Sequence, residues 1–153
     1  MIEVSLLFAG LVKMAQAGGP HDRFFAEART IIWQAVHLAI KTKHSQLEGA
    51  TNAALSEWAL AGGDASAART YADRAWELAN TRRNERDFIS AAVRQGRAAL
   101  ALHDLSTADE RLHHALLRAR AVNFAEEELP ALIALAVLAL VRGEVPLARE
   151  LID

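Results

Sequence analysis

The sequence predicts an all-α fold, a stack of antiparallel helix pairs forming an α-solenoid, and three observations carry that expectation. The composition favours helix, since 52% of the residues are apolar and only 8 Gly and 3 Pro interrupt them. Alanines recur forty residues apart, at Ala28, Ala68, Ala108 and Ala148, and Ala35, Ala75 and Ala115 follow the first three by seven. Turn signals recur at the same spacing, as Gly63-Asp64, His103-Asp104 and Gly143-Glu144. A chain of 153 residues is the size of one ordinary domain. A single domain over 1–153 is therefore expected, with units at 1–43, 44–83, 84–123 and an incomplete 124–153, or three and a half helical hairpins.

Hydrophobic periodicity and cap signals place helices over Ile2 to Ala17, Phe24 to Lys41, Gln46 to Ala61, Ser66 to Thr81, Glu85 to Leu102, Thr107 to Val122, Glu126 to Val141 and from Pro146 onward. The first turn falls at Gly18-Gly19-Pro20, with a few residues inserted relative to the others. Gly63 and Gly143 suit the left-handed conformation that closes a helix, and His103 must adopt it without glycine's freedom. Asp64, Asp104 and Glu144 put a carboxylate at the positive end of the next helix, and Ser106 with Asp109 has the spacing of a capping box. Alanines seven apart share one helical stripe, where a small side chain lets two backbones approach. Pro130 to Val141 is apolar nearly all round and reads as a buried helix.

Several function classes are disfavoured by composition. A formal net charge of -2 gives no long-range attraction for phosphate backbones, so nucleic acid is not the expected partner. With no Cys, neither a disulfide framework nor a thiolate zinc site exists, in keeping with a cytoplasmic setting. The apolar stretch Val4 to Val12 lacks a preceding basic residue and is followed by Lys13, which argues against a secretory signal. Pro130 to Val141 is far shorter than the ~20 residues needed to span a bilayer, so no membrane is expected. No phosphate loop, nucleophile elbow or comparable catalytic signature is present, and the expectation is a non-catalytic protein without cofactor.

Gly63-Asp64, Ala68 and Ala75 together resemble the second-helix signature of tetratricopeptide repeats. Leu55-Ser56, Gln95-Gly96 and Leu135-Ala136 sit where that family's first helix carries a large-small pair. The unit is forty residues instead of the usual ~34, and is similar to the long repeats of bacterial signal-transducing ATPases and transcriptional activators. The resemblance implies a right-handed solenoid whose first helices line a concave groove, acting as a protein- or peptide-binding scaffold, the sensor or docking arm of a larger regulatory protein. Carried onto this sequence, it makes Asn52, Glu57, Ser90, Arg94 and Arg97 the candidate groove residues, with Arg94 and Arg97 suited to a carboxylate or acidic peptide. Glu57 and Arg97 occupy the same repeat position and are expected side by side. The family's chaperone-tail clamp is not matched, because its positions hold Ala54, Ser90 and Arg94.

Two alternatives come from other residues. Glu110-x-x-His113 has the spacing of a metal-binding pair on one helix face, the basis for a small metal-binding protein or enzyme, although no second such pair occurs. Arg82, Arg83, Arg86, Arg94 and Arg97 form a local basic concentration, the basis for a nucleic-acid reading. Trp33, Trp58 and Trp76 do not follow the forty-residue period and are read as packing residues. Finally, Pro146 to Asp153 is too short to cover the apolar helix before it. Either the chain is a fragment of a longer array or its open end pairs with a second copy.

Overall fold

The computed structural model describes residues 2–153; Met1, with which the first predicted unit begins, lies outside them. Eight helices and no strand are present among the described residues: α1 Ile2–Gln16, α2 Arg23–Lys41, α3 Ser45–Ala61, α4 Ala65–Arg82, α5 Glu85–Ala101, α6 Leu105–Ala121, α7 Ala125–Val141 and α8 Val145–Ile152. Each helix packs on the next, which makes the protein an all-α helical-repeat solenoid. Odd-numbered helices also approach one another along their backbones, α1 on α3, α3 on α5 and α5 on α7, whereas the described even-numbered helices meet through long side chains, as where Trp33 of α2 meets Tyr71 of α4 and Arg111 of α6 covers the Trp76 ring of α4. Closer spacing in the odd row makes that row the inner, concave side.

The turns repeat more finely than the sequence signals predict. Residues 43, 63, 83, 103, 123 and 143 all have positive φ, so the backbone repeats every twenty residues, once per helix. In each turn the amide of the following residue donates back to an alanine carbonyl: His44 to Ala39, Asp64 to Ala59, Asn84 to Ala79, Asp104 to Ala99, Phe124 to Ala119 and Glu144 to Ala139, at 2.8 to 3.2 Å. Together with the bond from the positive-φ residue to the carbonyl three before it, this is a Schellman closure. The six acceptor alanines are all buried. Gly63 and Gly143 take the left-handed conformation as expected, and Lys43, Arg83, His103 and Asn123 take it despite carrying a Cβ.

The residue that ends one helix also begins the next. Asp64 accepts from the Ala67 amide at 2.9 Å, Asn84 from Asp87 at 3.1 Å and Asp104 from Thr107 at 3.2 Å. The capping box expected from Ser106 and Asp109 is not what starts α6, because Asp104 caps that helix two residues earlier. Glu144 makes no side-chain cap bond. Between α1 and α2 the longer turn is closed by Asp22, which accepts from Phe24 at 2.8 Å and from Gly18 at 3.1 Å.

Inside each pair, a small residue on the odd helix meets a large or small one on the even helix. A Cβ on Gly96 would lie 2.5 Å from Leu112 Cγ, and one on Gly10 would lie 2.5 Å from Ile32 Cγ1. Ile32 and Leu112 are eighty residues apart, so Gly10 is the first-unit counterpart of Ser56, Gly96 and Ala136, displaced by the inserted turn. Ala28, Ala68, Ala108, Ala148, Ala35, Ala75 and Ala115 are buried, as their stripe requires. Trp58 stacks on Phe25 at 4.8 Å and donates its indole N–H to the Phe25 carbonyl. The expectation of a buried α7 is only half met: Ala131, Ala134, Leu135 and Leu138 are buried, but Leu129, Ile133, Val137, Leu140 and Val141 are exposed because no further pair lies over them.

His103→Gly is expected to stabilise the fold by about 0.5–1 kcal/mol, and Gly143→Ala to destabilise it by about 1 kcal/mol or more, since a Cβ is strained at positive φ. Space is not the issue at Gly143, where an added Cβ meets nothing within 4 Å. Urea midpoints at constant slope measure both effects.

A second expectation concerns acid. Hydrogen bonds from the Thr107 hydroxyl and amide hold the Asp104 carboxyl below the ordinary aspartate range. A depressed folded pKa contributes stability that is complete above the unfolded value and is lost as pH falls through the folded one. Asp104→Asn keeps a capping oxygen but cannot titrate, so its urea midpoint should fall less steeply than that of the parent as pH drops through that window.

Candidate binding groove

The inner row places small side chains on α3 and larger ones on its flanks. Leu7 and Leu11 of α1, Gly49, Ala50, Ala53 and Ala54 of α3, Leu78 and Arg82 of α4, and Asp87, Ser90 and Arg94 of α5 enclose a groove of about 260 Å³, with Glu57 at its edge. A second depression, about 670 Å³, is lined by Leu60 of α3, Arg97 and Leu100 of α5, and Pro130, Ile133, Val137 and Val141 of α7. The forty-residue period builds both depressions, because it brings equivalent turns of α3, α5 and α7 to the same height.

Between the two depressions runs an ion network. Glu57 accepts from Arg97 Nη1 through both carboxylate oxygens, at 2.5 and 2.7 Å, which is the side-by-side placement the repeat register predicts. Arg94 Nη1 donates to Glu127 Oε1 and to the Ser90 carbonyl, both at 2.8 Å, and Ser90 Oγ donates to the same Glu127 oxygen at 2.7 Å. Arg94 Nε lies 3.5 Å from Glu57 Oε1, close enough for charge attraction, but it is buried without a hydrogen bond. Two guanidinium groups thus face two carboxylates across α3, α5 and α7.

Of the five candidates, Glu57, Ser90, Arg94 and Arg97 come together here. Asn52 does not join them: its side chain is buried in α3 and donates to the Glu48 carbonyl at 2.8 Å. Glu127, which reads in sequence as one of three acids in a first helical turn, is the member that sequence reasoning misses. Its signal lies in the register, since the same slot holds Leu47 and Asp87 in the two earlier units. A carboxylate in a slot that elsewhere holds buried Leu47 has to find a partner.

The residues of the metal alternative do not assemble into a cluster. Glu110 and His113 are exposed on α6, and His113 Nδ1 lies 2.7 Å from Asp109, which also takes Arg142 at 2.9 Å. Among the described residues, no three His, Cys, Asp or Glu gather in a way that could hold a metal ion. Four of the five arginines of the basic stretch are engaged within the chain: Arg82 pairs with Asp87 at 3.1 Å, Arg86 covers the Phe124 ring at 4.8 Å, and Arg94 and Arg97 belong to the inner network, while Arg83 is exposed at the turn before α5. No described helix is long and apolar enough to cross a membrane.

No family model matches the chain, and no curated protein matches it. The chemistry of the groove rests on its own geometry.

Burial ranks the two arginines. The side chains of Arg94 and Glu127 are 19% and 9% exposed, whereas that of Arg97 is 36% exposed. Arg94→Met, which keeps the stem and strands Glu127, should cost on the order of 2–3 kcal/mol. Arg97→Met should cost less than about 1 kcal/mol, because water screens the pair it breaks. Chemical denaturation of both variants checks the order.

Proposed function

We propose that the concave face is a docking groove for a protein or peptide, and that the chain is a tetratricopeptide-type array acting as the partner-binding arm of a regulatory protein. The observation that carries this reading is the pair of apolar-walled depressions flanking an internally neutralised ion network. Such a surface offers hydrophobic anchor sites at both ends and polar groups of fixed geometry between them, the layout by which binding grooves fix orientation. Because Arg94 and Arg97 are already committed to Glu57 and Glu127, the affinity comes from apolar side chains seated near Leu7, Ala53 and Leu11 on one side and Leu60, Ile133 and Val137 on the other. An acidic group on the ligand adds orientation beside the more exposed Arg97.

The tetratricopeptide assignment draws support from the small residues Gly10, Ser56, Gly96 and Ala136 at one register position of the odd helices, and from the inner placement of those helices. Selection of a displayed peptide library on the purified chain tests the function. Recovered peptides should carry two apolar anchors, and Ala53→Arg or Val137→Arg should each weaken their binding at least about tenfold, the effect of losing a buried anchor, while circular dichroism stays unchanged. Peptides that bind both variants as tightly as the parent would place the site elsewhere.

A further inference from the structure

We propose that the two end faces of the stack are complementary, so that a second copy docks its α1–α2 end onto the α7–α8 end of the first. The internal repeat supplies the template. At the junction between the third unit and the fourth, Ile89, Val93 and Leu112 are fully buried in one cluster with Ala131, Ala134, Leu135 and Leu138 of α7. Moving forty residues on gives the equivalent surface at the far end: Leu129, Ile133 and Ile152, now 61%, 51% and 64% exposed. These positions are built like the covered ones and differ only in having no pair seated on them.

The opposite end carries the matching half. Gly10 stands in α1 where Ala136 stands in α7, so the residues equivalent to Ala131, Ala134, Leu135 and Leu138 are Ser5, Phe8, Ala9 and Val12. All four are exposed, and Phe8 is 69% exposed. One end therefore shows the register positions that the junction between the third and fourth units uses to receive a pair, and the other shows the positions used to be received. Burying both removes apolar area from water at each side of the contact.

Charge agrees with this docking. Across internal junctions, an ionic side chain on an even helix reaches the turn that precedes the next even helix. Arg69 of α4 lies 3.5 Å from Asp104, and Asp109 of α6 lies 2.9 Å from Arg142. One junction earlier, Arg29 and Asp64 line the same depression. Arg149 of α8 is the equivalent of Arg69, eighty residues on, and is exposed. In the incoming copy, the residue that caps its first even helix, as Asp104 caps α6, is Asp22. Arg149 of one copy thus faces Asp22 of the other, opposite in sign and in the arrangement already used inside the chain.

Such a contact is heterologous: the two surfaces are different, so it propagates into open chains or a closed ring. That property gives a sharp test by analytical ultracentrifugation. The parent should associate as its concentration rises from micromolar to submillimolar. Phe8→Asp removes the incoming surface and Leu129→Asp the receiving one; each variant alone should be monomeric, and their equimolar mixture should form a dimer and nothing larger. Arg149→Asp should weaken association a few-fold, as expected of a rim ion pair, and Arg149→Lys should not. Both apolar positions are exposed, and circular dichroism confirms folding of each variant. A parent that stays monomeric throughout, a Phe8→Asp variant that still self-associates, or a mixture of folded variants that forms no dimer would each overturn the proposal. Neither Phe8 nor Leu129 lines the concave depressions, so peptide binding by the monomeric variants separates this result from that of the groove.

Discussion

Every turn between α2 and α8 is closed by the same hydrogen bond, from the amide of a capping residue to a buried alanine carbonyl. The bond forces the intervening residue to positive φ, and six successive turns accept that strain even though four of them carry a side chain there. Because the amide donor is also the N-cap of the next helix, the closure fixes the angle at which the chain re-enters the stack. Alanine suits the acceptor position because a larger side chain would hold the neighbouring helix away. The two rows, the curvature and the depth of the inner groove all follow from repeating this one closure at constant spacing.

Within that frame the chemistry is concentrated at one place. The inner face is built of Ala and Leu near α1 and α3 and of Ile and Val on α7, with charge gathered in the strip where α3, α5 and α7 meet and in the Arg82–Asp87 pair that lines the smaller groove. Such a strip is costly to leave incomplete, because each guanidinium and carboxylate has given up part of its water to reach the others. Its two arginines differ in what they can do. Arg94 is enclosed and holds helices together, whereas Arg97 stands at the mouth of the larger depression and can respond to what enters it.

The architecture was largely legible in the sequence because it is written in a period, and a period survives the uncertainty of any one residue. Helix boundaries read from caps and apolar spacing fall within two residues of those observed. What the forty-residue comparison hides is the finer repeat of twenty: Lys43, Arg83 and Asn123 carry no glycine to announce a left-handed turn, and Ala39 to Ala139 are too common a residue type to stand out. Gly10 was concealed by the inserted turn that shifts α1 out of register. The site was legible at Glu57 and Arg97, which share a repeat position, and illegible at Asn52 and Glu127. Whether a polar residue on an inner helix faces the groove or turns back to its own backbone depends on a rotamer, which spacing alone does not specify.

One slot of the repeat holds Leu47, Asp87 and Glu127 in successive units, and this divergence labels the units. A stack of near-identical pairs is exposed to slippage, in which a pair docks against the wrong neighbour or trades places with that of another molecule. Docking the second unit of another molecule where the fourth belongs would bring Leu47 to Arg94 in place of Glu127, and docking another molecule's third unit where the second belongs would set Arg97 against another arginine instead of Glu57. The first error strands a buried charge and the second opposes like charges. The ion strip is therefore also an address, which lets an array built from interchangeable packing adopt a single order.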